Sequence, residues 1–185
     1  MAQFDEDEEI VEEAQQQWKE KSMKLIPSFS IPLFLLLGHA EAKTRACAAR
    51  AIAAGLEQFP AAVKGVLEAV VRKYKEIAAM EDEKERAAFL STVVALFYLL
   101  EQCAARKALP QEKLFDTLDI LFDLGFAHAS SEVRLQAMRA GEALMEAYGA
   151  ENTQALLEYL NGRLRALEKD ADTEAEVGAR QWSED

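Results

Sequence analysis

Histidine, cysteine, proline and glycine are all scarce in this sequence, and each scarcity excludes something. Two histidines, His39 and His128, and two cysteines, Cys47 and Cys103, are too few and too far apart to converge as a metal site of the usual His/Cys type. The cysteines lie within helical patterns with no second ligand nearby, which predicts reduced, buried thiols rather than a disulfide framework. Four prolines and eight glycines over 185 residues leave too few turns for a sheet protein. Gly38, Gly55, Gly65 and Gly125 stand alone, so no glycine-rich phosphate cradle is formed and nucleotide binding is not expected. Ser91 and Thr92 sit in an apolar helical run without a nearby histidine, which argues against a nucleophile there. No apolar run is long enough to span a bilayer, because Ile31–Gly38 is far too short, and the acidic N-terminus does not read as a signal peptide. Enzymatic activity, cofactors and membrane insertion are therefore not expected, and the chain reads as cytoplasmic.

What is abundant is alanine, leucine and glutamate, the composition of a chain built almost entirely of helices. The formal charge of -12 is unevenly placed. Asp5–Glu13 holds seven acids and no base, and Glu168–Asp185 holds seven acids against Lys169 and Arg180. Residues 14–167 carry 19 acids and 19 bases, so the expected folded body is neutral. Global charge thus argues neither for nor against nucleic acid, and direct DNA binding is not expected. Three segments follow: an acidic N-terminal segment 1–13, a helical array 14–167, and a disordered acidic tail 168–185.

Along the chain, apolar residues recur at helical spacing. Ile10, Ala14, Trp18 and Leu25 mark a first, acidic helix that Pro27 ends, with Trp18 as a core anchor. A short helix covers Ser30–Leu37, and an alanine-rich one runs from Glu41 to about Phe59. Val63, Val66, Leu67, Val70, Val71, Tyr74 and Ile77 form a buried stripe on the next. Phe89–Leu100 is a broadly apolar helix, and Leu114, Leu118, Leu121 and Phe122 mark another that closes near Gly125. Ser130 or Ser131 starts a helix to about Tyr148, Gly149 ends it, and Asn152 or Thr153 opens the last, which closes near Leu167. The total is about eight helices.

The sequence also repeats itself. A shift of 89 residues lays His39-Ala-Glu-Ala-Lys-Thr-Arg45 over His128-Ala-Ser-Ser-Glu-Val-Arg134. Ala48, Arg50, Ala51 and Ala54 then recur as Ala137, Arg139, Ala140 and Ala143, and Phe59 as Tyr148. That shift is about twice the ~40–47 residues of a HEAT or armadillo unit, with Glu83–Gly125 as the unit between. The fold class is all-α, an α-α superhelix of antiparallel helix pairs. Arg45 and Arg134, just inside the second helix of their units, are expected to reach an acidic or carbonyl partner in the next unit and to stack the repeats. The equivalence of His39 and His128 predicts a turn or capping role. Lys43, Arg50 and Arg139 on the second helices are candidates for a basic ridge that docks phosphates or an acidic partner, although Glu57, Glu68 and Glu76 interleave with the neighbouring bases.

The order of these features resembles a segment of the HEAT-repeat translational activator of the general amino-acid control pathway. The residues that carry the resemblance are the acidic approach to Trp18, the Ile31–Leu37 helix and the alanine-rich helix running into Val66–Glu76. Arg86–Leu100, Ser131-Glu-Val-Arg134 and Tyr148-Gly-Ala-Glu-Asn152 complete them. The resemblance implies a scaffold that is one piece of a very long solenoid and lies before the part similar to the fungal elongation-factor ATPase. It also implies association with the ribosome, with an ABC-type ATPase and, through the parent protein, with the kinase that phosphorylates initiation factor 2 under starvation. A general HEAT or armadillo adaptor, of the transport-receptor or phosphatase-scaffold type, is the alternative.

Overall fold

The computed structural model describes residues 30–181, and side chains as far as residue 166. The acidic segment 1–13, the expected first helix and Trp18 lie outside the described residues. Among those described there are seven α-helices and no strand: α1 (Ser30–Leu35), α2 (Ala42–Gln58), α3 (Val63–Ala78), α4 (Glu83–Ala88), α5 (Leu90–Ala105), α6 (Leu114–Ile120) and α7 (Ser131–Gln181). None is long and apolar enough to cross a membrane. The chain divides into two compact units, residues 1–147 and 148–185, which are taken separately below.

Local chemistry sets the boundaries. Pro60 opens the 3-10 turn Pro60–Ala62 that leads into α3, where its missing N–H is not needed. Asp82 caps α4, its Oδ1 accepting from the Lys84 N–H at 2.8 Å. At the end of α5, Lys107 takes a left-handed conformation (φ 53°). This lets Lys107 N–H reach Ala104 O and Ala108 N–H reach Cys103 O, at 2.8 and 2.9 Å, so the last carbonyls of the helix are satisfied.

In the first unit the core is made where α2 lies against α5. Ala49, Ile52, Ala53 and Leu56 of α2 and Leu99, Leu100 and Ala104 of α5 have no exposed surface. The alanines carry no bulk beyond Cβ, so these helix backbones approach closely. Leu114, Leu118 and Leu121 form a second buried row, with Val133, Ala137, Ala140 and Leu144 of the first half of α7. After α6 the backbone continues as a π-helical stretch, Leu121–Phe126. Gly125 is buried there with no room for a side chain: a Cβ would lie 2.6 Å from Ala137 Cβ and 2.9 Å from Phe97 Cε1.

Two expectations change. The middle unit, expected over Glu83–Gly125, is α3 with α5. The His39–Arg45 turn joins α1 to α2 and the His128–Arg134 turn joins the α6 segment to α7, so α6 belongs to the third unit and not to the second. The boundary expected between Gly149 and Asn152 is present: two helices join there across a kink at Asn152 (φ -122°, ψ 16°), and α7 names both. In this second unit Asn152 Nδ2 donates to the Tyr148 carbonyl at 2.9 Å and Thr153 Oγ1 to that of Gly149 at 2.8 Å, so side chains cover the carbonyls at the bend. Lastly, the segment from residue 168, expected to be disordered, carries helical backbone to Gln181. Its many glutamates and alanines are good helix formers.

Candidate functional site on the second helices

The two matched turns are built alike, atom for atom. His39 Nδ1 accepts the Glu41 N–H at 3.1 Å and His128 Nδ1 accepts the Ser130 N–H at 3.0 Å. Arg45 Nη1 donates to the carbonyls of His39 and Ala40, each at 2.7 Å, and Arg134 Nη1 to those of His128 and Ala129, each at 2.7 Å. Histidine thus caps the turn, as its repetition predicted. The arginines bond inside their own unit, where reach into the next had been expected. Five or six residues back is as far as a side chain on the first turn of a helix needs to bend to cover the carbonyls that precede it. Arg134→Ala is expected to lower folding stability by about 1–2 kcal/mol, as two charge-assisted hydrogen bonds at a partly exposed site are lost. Arg45→Ala should do the same, and the double variant should add. Urea midpoints of the three variants check this.

His128 is also held from the side, its ring edge-on to Tyr74 with centroids 5.9 Å apart, and Tyr74 in turn lies edge-on to Phe97 at 6.3 Å. Burial and then the Arg134 charge lower the His128 pKa from 6.5. A base whose folded pKa is depressed contributes stability that is complete above its unfolded value and is lost as pH falls through the folded value. Stability is therefore expected to decline as pH drops below 6.5. His128→Asn keeps an acceptor for the Ser130 N–H without titrating, so its unfolding midpoint should be flatter over that range.

The arginine that does face the next unit is Arg50. It is half-buried, its Nη2 contacts Cys47 Sγ at 3.6 Å, and its Nε is buried without a partner. Its charge is felt across the gap to α5: burial raises the Tyr98 pKa, Arg50 lowers it, and Glu101 and Cys47 raise it. From α7, Gln136 Nε2 donates to Glu101 Oε2. A polar seam of Cys47, Arg50, Tyr98, Glu101 and Gln136 therefore runs over the second helices of three units. Sequence reading missed Tyr98, Glu101 and Gln136, because nothing in one helix's periodicity tells which neighbour its polar edge meets. Cys47, expected buried, is half-buried on this seam, and Cys103 is fully buried with its thiol pushed up to about 12 by burial.

Of the three candidate ridge residues, Arg50 is thus taken up by the seam, while Lys43 and Arg139 are exposed. Neither forms an ion pair among the described residues. Three of the four bases of α3 are occupied: Lys64 pairs with Glu68 at 3.9 Å, and Arg72 and Lys73 with Glu76 at 4.0 and 3.2 Å. Glu57 pairs with Arg106 at 3.1 Å. A groove of about 780 Å³ between α3 and α6 has an apolar floor of Leu67 and Ile120, and its walls are largely self-neutralised by such pairs, Lys113 with Asp116 among them. The free positive charge on the second helices rests on Lys43 and Arg139.

No curated protein and no solved structure matches the chain. A family model does, over residues 1–177: that of the HEAT repeats of the stalled ribosome sensor GCN1. With its helix pairs, its repeated turns and that match over nearly all its length, the chain belongs to the HEAT-repeat family of the stalled ribosome sensor GCN1.

Proposed function

We propose that this segment is a non-catalytic, cytoplasmic scaffold that docks on the ribosome through Lys43 and Arg139, within a regulator that brings an ABC-type ATPase and the initiation-factor-2 kinase into play under starvation. The observation that carries the reading is the conjunction of a ribosome-sensor family match with two exposed, unpaired bases on the second helices. Ribosomal RNA offers phosphates in any orientation, and bases already bound to carboxylates have little to gain from them. The remaining second-helix arginines, Arg45, Arg50 and Arg134, serve turns and seam and hold the shape on which the two free charges are set. The acidic segments 1–13 and 168–185 flank this neutral body and repel phosphate, which confines docking to the ridge.

The test is co-sedimentation with purified ribosomes of the Lys43→Glu, Arg139→Glu double variant. Binding about tenfold weaker than that of the unaltered chain is expected, with a shallower dependence on salt. A variant that sediments as the unaltered chain does would remove the ridge from the account.

A further inference from the structure

Three arginines of the second helices are half-buried, and two of them are satisfied: Arg45 and Arg134 each reach two carbonyls. Arg50 is not. Its Nη2 meets the Cys47 thiol at 3.6 Å, its Nε is buried without a partner, and no carboxylate pairs with it among the described residues. A guanidinium taken partly out of water with no anion against it is costly, so this group is suited to a carboxylate that arrives from elsewhere. Lys43, exposed and also without an ion pair among the described residues, stands seven residues before Arg50 on α2. Seven residues are two turns, about 10 Å along the same edge of a helix. α2 carries three bases against one acid, Glu57, which is held by Arg106. The nearby Glu101 of α5 accepts from Gln136. On α7, by contrast, Arg139 is followed by Glu142 and Glu146 on its own helix, and in the groove between α3 and α6 four bases face four acids. The positive edge left unanswered is that of α2.

We propose that the acidic segment 5–13 of the same chain docks on this edge of α2, its carboxylates meeting Lys43 and Arg50. The sequence supplies both the anion and the reach. Residues 5–9 are all acidic, Glu12 and Glu13 follow, and no base stands among them. Sixteen residues, 14–29, join Glu13 to Ser30, a length that spans up to ~55 Å. Ser30 begins α1, which packs on α2, so the tether starts about one helix spacing, ~10 Å, from α2. A segment tethered in this way is present at an effective concentration on the order of millimolar, and none of its seven carboxylates has an adjacent base to satisfy it first. The tail 168–185 is the poorer occupant, since Lys169 and Arg180 stand among its acids. Lys43 belongs to the ridge as well, so segment 5–13 and ribosomal phosphate exclude each other there. That consequence rests on ridge docking; the contact with α2 does not.

The experiment is zero-length carbodiimide cross-linking of the full chain at low salt, which joins a carboxylate to a lysine amine only where the two touch. An equal mixture of unlabelled and nitrogen-15-labelled chain is used, and the joined peptides are mapped by mass spectrometry. The expected product links Lys43 to an acid of segment 5–13, with the same label on both sides. Arg50→Gln leaves the Lys43 amine in place but removes the neighbouring charge, and should lower the yield of that product about fivefold, with helix content unchanged by circular dichroism. High salt should lower it likewise. The proposal is overturned if Lys43 is not joined to segment 5–13, or is joined only to the tail 168–185. Labels that mix across the link, which would mean contact between copies, overturn it too, as does a yield that Arg50→Gln leaves unchanged. No ribosome is present, so this test and that of the ridge fail separately.

Discussion

Gly125→Val is expected to cost about 3 kcal/mol or more of folding stability. The reason lies in the crossing of the π-helical stretch over two other helices. A Cβ at residue 125 would stand 2.6 Å from Ala137 Cβ, and neither atom is the free end of a flexible side chain. Phe97 Cε1, at 2.9 Å, belongs to a ring that is itself buried and wedged against Tyr74. Relief would require α7 or α5 to move as a body, since packed interiors have little space into which to shift. Gly125→Ala should show a smaller loss, and Ala137→Gly should return part of it by removing the other half of the 2.6 Å contact. At Gly65, within α3, a Cβ meets nothing within 4 Å. Gly65→Ala should therefore raise stability by about 0.5–1 kcal/mol through helix propensity alone. Urea unfolding of these variants side by side separates close packing from a general intolerance of change.

Leu100→Ala is expected to cost about 2–5 kcal/mol. Leu100 has no exposed surface and lies on α5, the helix against which α2 packs. Truncation leaves a cavity that Ala104, one turn along the same helix, is too short to fill. Ile31, of similar size but 68% exposed on α1, should tolerate alanine within about 0.5 kcal/mol. A loss at Leu100 no greater than that at Ile31 would mean that α2 and α5 do not form the core.

The features legible in the sequence are those written within one helix or one turn. Of the expected stripe, Val63, Val66, Leu67, Val70 and Ile77 are buried as its spacing required, and Val71 and Tyr74 are half-buried. The His-to-Arg repeat, seen first as letters 89 apart, proved to be one turn built twice with the same donors and acceptors. The relation of one helix to another was less legible. Arg45 and Arg50 lie five residues apart on one helix, so periodicity could not say which of them faces α5 and which turns back on its own loop. Gly149 stands three residues before Asn152 and Thr153 directly after it, a pattern that commonly ends one helix and starts another. Here two helices do meet at Asn152, across a kink whose freed carbonyls the Asn152 and Thr153 side chains cover. The π-helical stretch after Ile120 left no mark on periodicity at all, because one widened turn moves the stripe by less than a side chain can absorb. The basic ridge was read as a row of charges, yet ion pairs occupy Lys64, Arg72 and Lys73 of α3, while Lys43 and Arg139 on the second helices are exposed without an ion pair among the described residues.

The most direct measurement is sedimentation of the chain with ribosomes through a sucrose cushion at low and at moderate salt. A ribosome-docking scaffold with few phosphate contacts is predicted to pellet with ribosomes at low salt and to be released at moderate salt. A chain that stays in the supernatant at both, while retaining its helix content, would contradict ribosome docking by this segment.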